Sequence, residues 1–254
     1  MKPLRLLSAL AFAVLSVPSL FAQSNPGTIL QLEFQTPKNG MIQQYEDGRK
    51  QKAAWHKQQN DKTPLLVWQI ISGEDTNTYI VGEPPQHWAD MDKPSVPEEA
   101  DLAEYNKVIG NYVEKLVIRF YEYMPKLSAP PDSKLPLKYS EVMTFHVKYG
   151  KESDLRNAVT RVREAAAKTN WGSKSEWYRL ANGGSGTEWV LVLPHENWAG
   201  FGDQPNIKPV YEMVKDAFGA TEAKSIFDSF TGAVMYQTSS IVQFRPDLSY
   251  LPGK

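Results

Sequence analysis

Apolar and polar residues alternate along Thr28–Gln35, where Leu30, Leu32 and Phe34 are interleaved with Gln31, Glu33 and Gln35. This two-residue period predicts a strand with one face in an apolar core. Pro37, Asn39 and Gly40 break it. Residues 41–58 carry Ile42, Tyr45 and Trp55 in a thin helical stripe weakened by Gly48. The apolar run Leu65–Ile71, the turn-rich Ser72–Asn77 and Thr78–Gly82 read as a hairpin. Beyond Pro94 and Pro97, Leu102, Tyr105, Ile109, Tyr112 and Leu116 predict a helix over 98–116. A fourth strand, Val117–Tyr123, is closed by Pro125. The order is βαββαβ.

The same order recurs downstream. Met143, Phe145, Val147 and Tyr149 alternate with Thr144, His146 and Lys148, and residues 153–168 place Leu155, Val159, Val162 and Ala166 on one helical face behind Ser153, the expected cap. A hairpin over 176–193, helical pieces near 210–218 and 222–230, and a strand over 236–244 complete the copy. Two anchors tie the copies together. Tyr79, Pro84, Trp88 and Ala89 return as Trp189, Pro194, Trp198 and Ala199 at an offset of 110, and Met124-Pro-Lys-Leu-Ser128 returns as Arg245-Pro-Asp-Leu-Ser249 at 121. A pattern repeated at a near-constant offset marks a duplicated structural unit.

Each unit is a ferredoxin-like split βαβ, with helices on one face of an antiparallel sheet and the other face bare. Two such sheets in one chain can cover each other. On its element order and repeat, the chain resembles the dimeric α+β barrel superfamily in fused, tandem form, over nearly all of residues 28–250. The resemblance implies an α+β fold in which two βαββαβ repeats pack as a pseudo-dimeric barrel. Members include cofactor-free monooxygenases, haem-dependent chlorite dismutase-like and dye-decolourising enzymes, small isomerases and ligand-sensing modules, so the fold leaves the function open. The expected division is a signal peptide over 1–22, a first repeat over 23–128, a linker over 129–140 and a second repeat over 141–254. The alternative is two ferredoxin-like domains side by side, joined by the four-proline segment 125–136.

Composition narrows the setting. Lys2 and Arg5 precede an apolar run from Leu6 to Val17, then Pro18 and Ala22, the pattern of a cleaved signal peptide. The run is shorter than the ~20 residues that span a bilayer. The expectation is a secreted or periplasmic protein, with no membrane association after cleavage. Without Lys2 and Arg5, 26 basic residues stand against 29 acidic ones, a net charge of −3 with no basic block, which argues against nucleic acid. The chain has no Cys, so it carries no disulfide or lipidated thiol and relies on its core. A monomer or weak oligomer is expected.

If the apolar strand faces meet the helices, Gln31, Glu33, Gln35, Thr144, His146 and Lys148 point into the barrel, where Arg119 and Arg179 could join them. Glu33, His146, Arg119 and Arg179 are therefore the candidate ligand-binding residues, able to hold a small polar or anionic molecule or to move a proton. The bland alternative leaves these faces in solvent. The four histidines show no metal spacing, and no metal or other cofactor is implied. A haem would need an axial ligand, for which His146 is the candidate. Trp88 and Trp198 are expected to pack beneath their turns. Gly183–Gly186 lies between strands and reads as a hairpin loop. Two functions stay open: an exported protein that binds a ligand or partner in or near the barrel interior, and a cofactor-independent oxygenase or isomerase.

Overall fold

In the computed structural model, which describes residues 27–202 and 204–253, the first repeat runs β1 (Ile29–Pro37), α1 (Ile42–Gln58), β2 (Leu66–Ile70), β3 (Tyr79–Gly82), α2 (Glu98–Val108) and β4 (Val113–Tyr123). The second runs β5 (Tyr139–Val147), α3 (Glu152–Lys168), β6 (Glu176–Asn182), β7 (Thr187–His195), α4 (Val210–Phe218), α5 (Ala220–Ala233) and β8 (Val234–Phe244). The signal-peptide segment lies outside the described residues. All eight strands form one closed barrel in the order β1-β3-β2-β8-β5-β7-β6-β4. Antiparallel seams between β2 and β8 and between β4 and β6 join the halves, which excludes two separate domains.

The duplication extends to hydrogen-bond register. Gln35 pairs with Tyr79 as Phe145 pairs with Trp189, and a register shift falls after Thr36 as it does after His146. The second sequence anchor has a mechanical purpose. Ser128 Oγ donates to Met124 O and accepts from Trp177 N at 2.8 Å, and Ser249 Oγ donates to Arg245 O and accepts from Val67 N at 2.9 Å. Leu127 and Leu248 beside them are buried. Each repeat thus ends in a strap fastened to the other repeat, and the straps extend as the bridges Ala129–Ser175 and Leu65–Tyr250.

Strand alternation divides the core into three spaces. Val67, Tyr79 and Val81 pack in one layer under α1 and α2, and Phe145, Val147, Trp177 and Trp189 pack in another under α3 and α5. The alternate positions, among them Leu32, Phe34, Trp68, Ile80, Val142, Val190 and Phe244, line the barrel interior. Trp68 meets Phe244 across the β2–β8 seam, with ring centroids 5.9 Å apart.

Several local expectations need correction. The helix expected over 98–116 stops at Val108; a 3-10 turn at Gly110–Tyr112 follows, and Val113–Leu116 belongs to β4. Ser153 does not cap α3, which begins one residue earlier and has no side-chain cap. Trp88 and Trp198 each open a short 3-10 turn but are 51% and 56% exposed, so they lie over the turns and not beneath them. Trp88 leans on Phe120, and Trp198 on Tyr139 and Phe201.

Candidate functional site

One mouth of the barrel gathers charge from both repeats. His146 and Glu188 are register partners on β5 and β7, and both face inward because their neighbours Phe145 and Trp189 lie under the helices. Glu188 is 2% exposed. His146 Nδ1 lies 3.9 Å from its carboxylate on one side, and Arg119 Nη1, from β4 of the first repeat, lies 3.5 Å from it on the other. Arg119 also donates to Tyr121 Oη at 3.3 Å. Tyr236 of β8, half exposed, stacks on the His146 ring at 4.1 Å. Gly183, at φ +89°, brings the β6–β7 hairpin against Ile118 and Arg119 with no room for a side chain, and so closes this mouth. Burial works against the charge on Arg119, but the Tyr121 hydrogen bond and the nearby Glu188 outweigh it and raise its pKa. Burial pushes the Tyr121 hydroxyl up, so it stays protonated.

The opposite mouth serves as an internal control. The positions that correspond to His146, Glu188, Tyr236 and Arg119 are Thr36, Thr78, Lys115 and Ser240. There Thr36 and Thr78 share a 2.8 Å hydrogen bond. Gly73, at φ +97°, presses on Ser239 and Ser240 just as Gly183 presses on its own neighbours. The scaffold is the same at both mouths, but only the Arg119 mouth carries a carboxylate between an imidazole and a guanidinium.

Of the four residues expected in the interior, Arg119 and His146 come together through Glu188, whereas Glu33 and Arg179 do not join them. Glu33 is register partner to Val81, which packs under α1, so β1 turns its apolar residues inward and its polar ones toward the helices. That inversion is stable because Gln35 donates to Glu33 at 2.5 Å and accepts from buried Tyr45 at 2.9 Å. Arg179 pairs with Trp189 on the helix side and is held by Glu122 and Glu152. Glu188, Tyr121 and Tyr236 were missed from sequence. A signal for Glu188 existed, since the repeat offset places it on Thr78, an uncharged residue exchanged for a charged one inside a strand.

A second polar assembly lies under α1. Lys52, buried, donates to the Asp101 carboxylate at 2.8 Å and to its carbonyl at 2.7 Å. His56 Nδ1 meets Asp61 at 2.8 Å, and Ser95 donates to the same carboxylate at 2.5 Å. Because Ser95 bonds the carboxylate and not the imidazole, the trio lacks the relay of a nucleophilic triad. Glu46 accepts from Tyr79 and from both Nη atoms of Arg245. Burial lowers the pKa of Lys52 and of His56, and desolvation raises that of Glu83.

Among the described residues, no group of three or more His, Asp or Glu side chains is arranged to hold a metal ion. Tyr236 covers one face of the His146 ring, and the space under α3, lined by Val159, Val162, Trp171 and Trp177, holds about 30 Å³. No helix among the described residues is long and apolar enough to cross a membrane.

No protein-family model and no curated protein sequence matches the chain. Solved structures do. An anthrone oxidase-like protein is similar at a TM-score of 0.54 and 12% identity, over 89% of this chain and 94% of that one. A Lactobacillus acidophilus NCFM protein proposed to be a monooxygenase gives 0.53 and 12%, over 89% and 97%. Chlorite dismutase from Candidatus Nitrospira defluvii, in complex with imidazole, gives 0.50 and 8%, over 88% and 93%. At these identities the likeness establishes the fold alone, a closed antiparallel α+β barrel built from two ferredoxin-like halves.

Proposed function

We propose that the chain is an exported protein that binds a small anionic molecule at the mouth formed by Arg119, Glu188, His146 and Tyr236. The observation that carries this reading is the difference between the mouths: one scaffold holds hydroxyls at Thr36, Thr78 and Ser240 with Lys115 at one mouth, and at the matching places of the other a cross-repeat cluster with a buried carboxylate between Arg119 and His146. Arg119 is held at 3.3 and 3.5 Å and its side chain is a third exposed, which leaves guanidinium donors for a carboxylate. The exposed ring of Tyr236 offers an apolar face beside it. Export is supported by the charged and then apolar run from Lys2 to Val17.

Calorimetric titration with a panel of aromatic and aliphatic carboxylates, benzoate included, tests the reading. A ligand should bind the wild type and lose at least tenfold in affinity in Arg119→Gln, while Thr36→Val at the other mouth changes nothing. Equal binding by Arg119→Gln, or no binding across the panel, overturns it. A second reading, a cofactor-independent oxygenase or isomerase, draws on the nearly full burial of Glu188 beside His146 as a proton-handling pair. Under that reading His146→Gln abolishes turnover but leaves ligand affinity within a few-fold.

A further inference from the structure

Beneath α1, one buried cation has no counter-charge in contact. Arg49 is 3% exposed, and among the described residues its guanidinium makes no hydrogen bond and no ion pair. Glu33, a carboxylate on the helix side of β1, is engaged by Gln35. Arg49 and Glu33 both act electrostatically on Tyr45 and Tyr105, which places all four groups in one neighbourhood. The Arg49 Nε–H is buried without an acceptor, which is costly, and an anion that reaches the guanidinium from its solvent-accessible end offsets that cost.

The adjoining surface departs from its counterpart in the opposite sense. Leu116 and Ile118 on the outer face of β4 are 44% and 40% exposed, whereas the matching exposed residues of β8 are Gln237 and Ser239. Leu116 and Ile118 are register partners of Gln35 and Glu33, so this apolar strip begins one strand away from the charged layer. Leu102, exposed on α2, stands one helical turn before Tyr105. The first repeat therefore buries charge and exposes apolar surface at sites where the second does the reverse.

We propose that this face is a binding site for a monocarboxylate with an apolar chain. Its carboxylate pairs with Arg49 between α1 and β1, and its chain lies along Ile118, Leu116 and Leu102. The site is distinct from the Arg119 mouth and takes an amphiphile where the mouth takes a compact anion.

Octanoate is the probe, with acetate as the chainless control, titrated against the full chain by calorimetry and NMR. Saturable octanoate binding is expected, with acetate at least tenfold weaker. Arg49→Met, which keeps the length and removes the charge, should weaken octanoate at least tenfold. Ile118→Ser, which copies the residue type of β8, should weaken it several-fold, and it serves as the deciding variant if Arg49→Met fails to fold. Arg119→Gln should leave octanoate binding unchanged, so this site and the mouth can fail independently. Octanoate binding that is absent, or unaltered in both Arg49→Met and Ile118→Ser, overturns the proposal. So does a concentration-dependent dimer that Leu116→Ser disperses, because the strip would then be covered by a second copy.

Discussion

Under α3 the second repeat buries Leu155, Val159, Phe145 and Trp189; at the matching positions under α1 the first repeat buries Tyr45, Arg49, Gln35 and Tyr79. Lys52 and His56 likewise stand where Val162 and Ala166 do. The backbone plan is common to both, so the difference lies in how each layer earns its cohesion. An apolar layer gains roughly 25 cal/mol for each Å² removed from water, whichever partners meet. A charged layer holds only when each donor and acceptor finds its own partner, and a partly satisfied one is a net cost. Departures of this kind from an apolar plan are expected where a protein has work to do.

The comparison can be broken most sharply at Trp189. It is fully buried, and Trp189→Ala should cost about 3–5 kcal/mol in a denaturant titration. A smaller loss than that of a surface residue would mean that the second layer is not the apolar anchor described here. Next in size is the Lys52–Asp101 pair. Asp101→Ala strands a buried ammonium and should cost about 3 kcal/mol, while the double variant Lys52→Met/Asp101→Ala, which makes the first repeat resemble the second, should recover most of that loss. Failure of the double variant to recover would show that Lys52 packs through its stem alone.

The smallest effect is a dependence on pH, to which both repeats contribute: burial lowers the pKa of His195 and raises that of Glu176 in the second repeat, and the first adds a denser set of shifted groups. Burial holds the folded pKa of His56 below its ordinary value, so the unfolded chain binds the proton more readily, and stability falls as pH drops below about 6.5. Glu46, held down chiefly by Arg245, and Asp61, held down by Ser95, Thr63 and His56 against the effect of burial, add stability above the ordinary carboxylate range; it is lost as pH falls further. Glu83, which burial raises, works in the opposite direction. Thermal midpoints across pH 4–8 should show the first slope in the wild type and a shallower one in His56→Phe, with His195 supplying what remains.

Much of this architecture was legible in the sequence. The repeat and the βαββαβ order followed from two anchors and strand periodicity, whereas closure of both halves into one barrel was what the resemblance implied, with two side-by-side domains as the open alternative. What misled was β1, where polarity was taken as a sign of facing away from the helices. Alternation fixes which residues share a face but not which face is covered, and Glu33 and Gln35 reverse the usual assignment because Tyr45 and each other satisfy them under α1. The stripe read on α1 missed Arg49, Lys52 and His56 for the same reason: hydrophobicity cannot reveal a buried face built from charge. At the mouth, Arg119 and His146 were found by their strands, but Glu188, the residue that joins them, needed the three-dimensional register.

The two straps differ in the length of chain they must wait for. Ser128 reaches Trp177 across 49 residues, whereas Ser249 reaches Val67 across 182. Loop closure grows costlier with separation, and non-local pairings form late. The β4–β6 seam can therefore form as soon as β6 is available, but β2 waits with an unpaired edge until β8 follows. The ring shuts in a fixed order, and the strap of Ser249 and Tyr250 on β2 completes it.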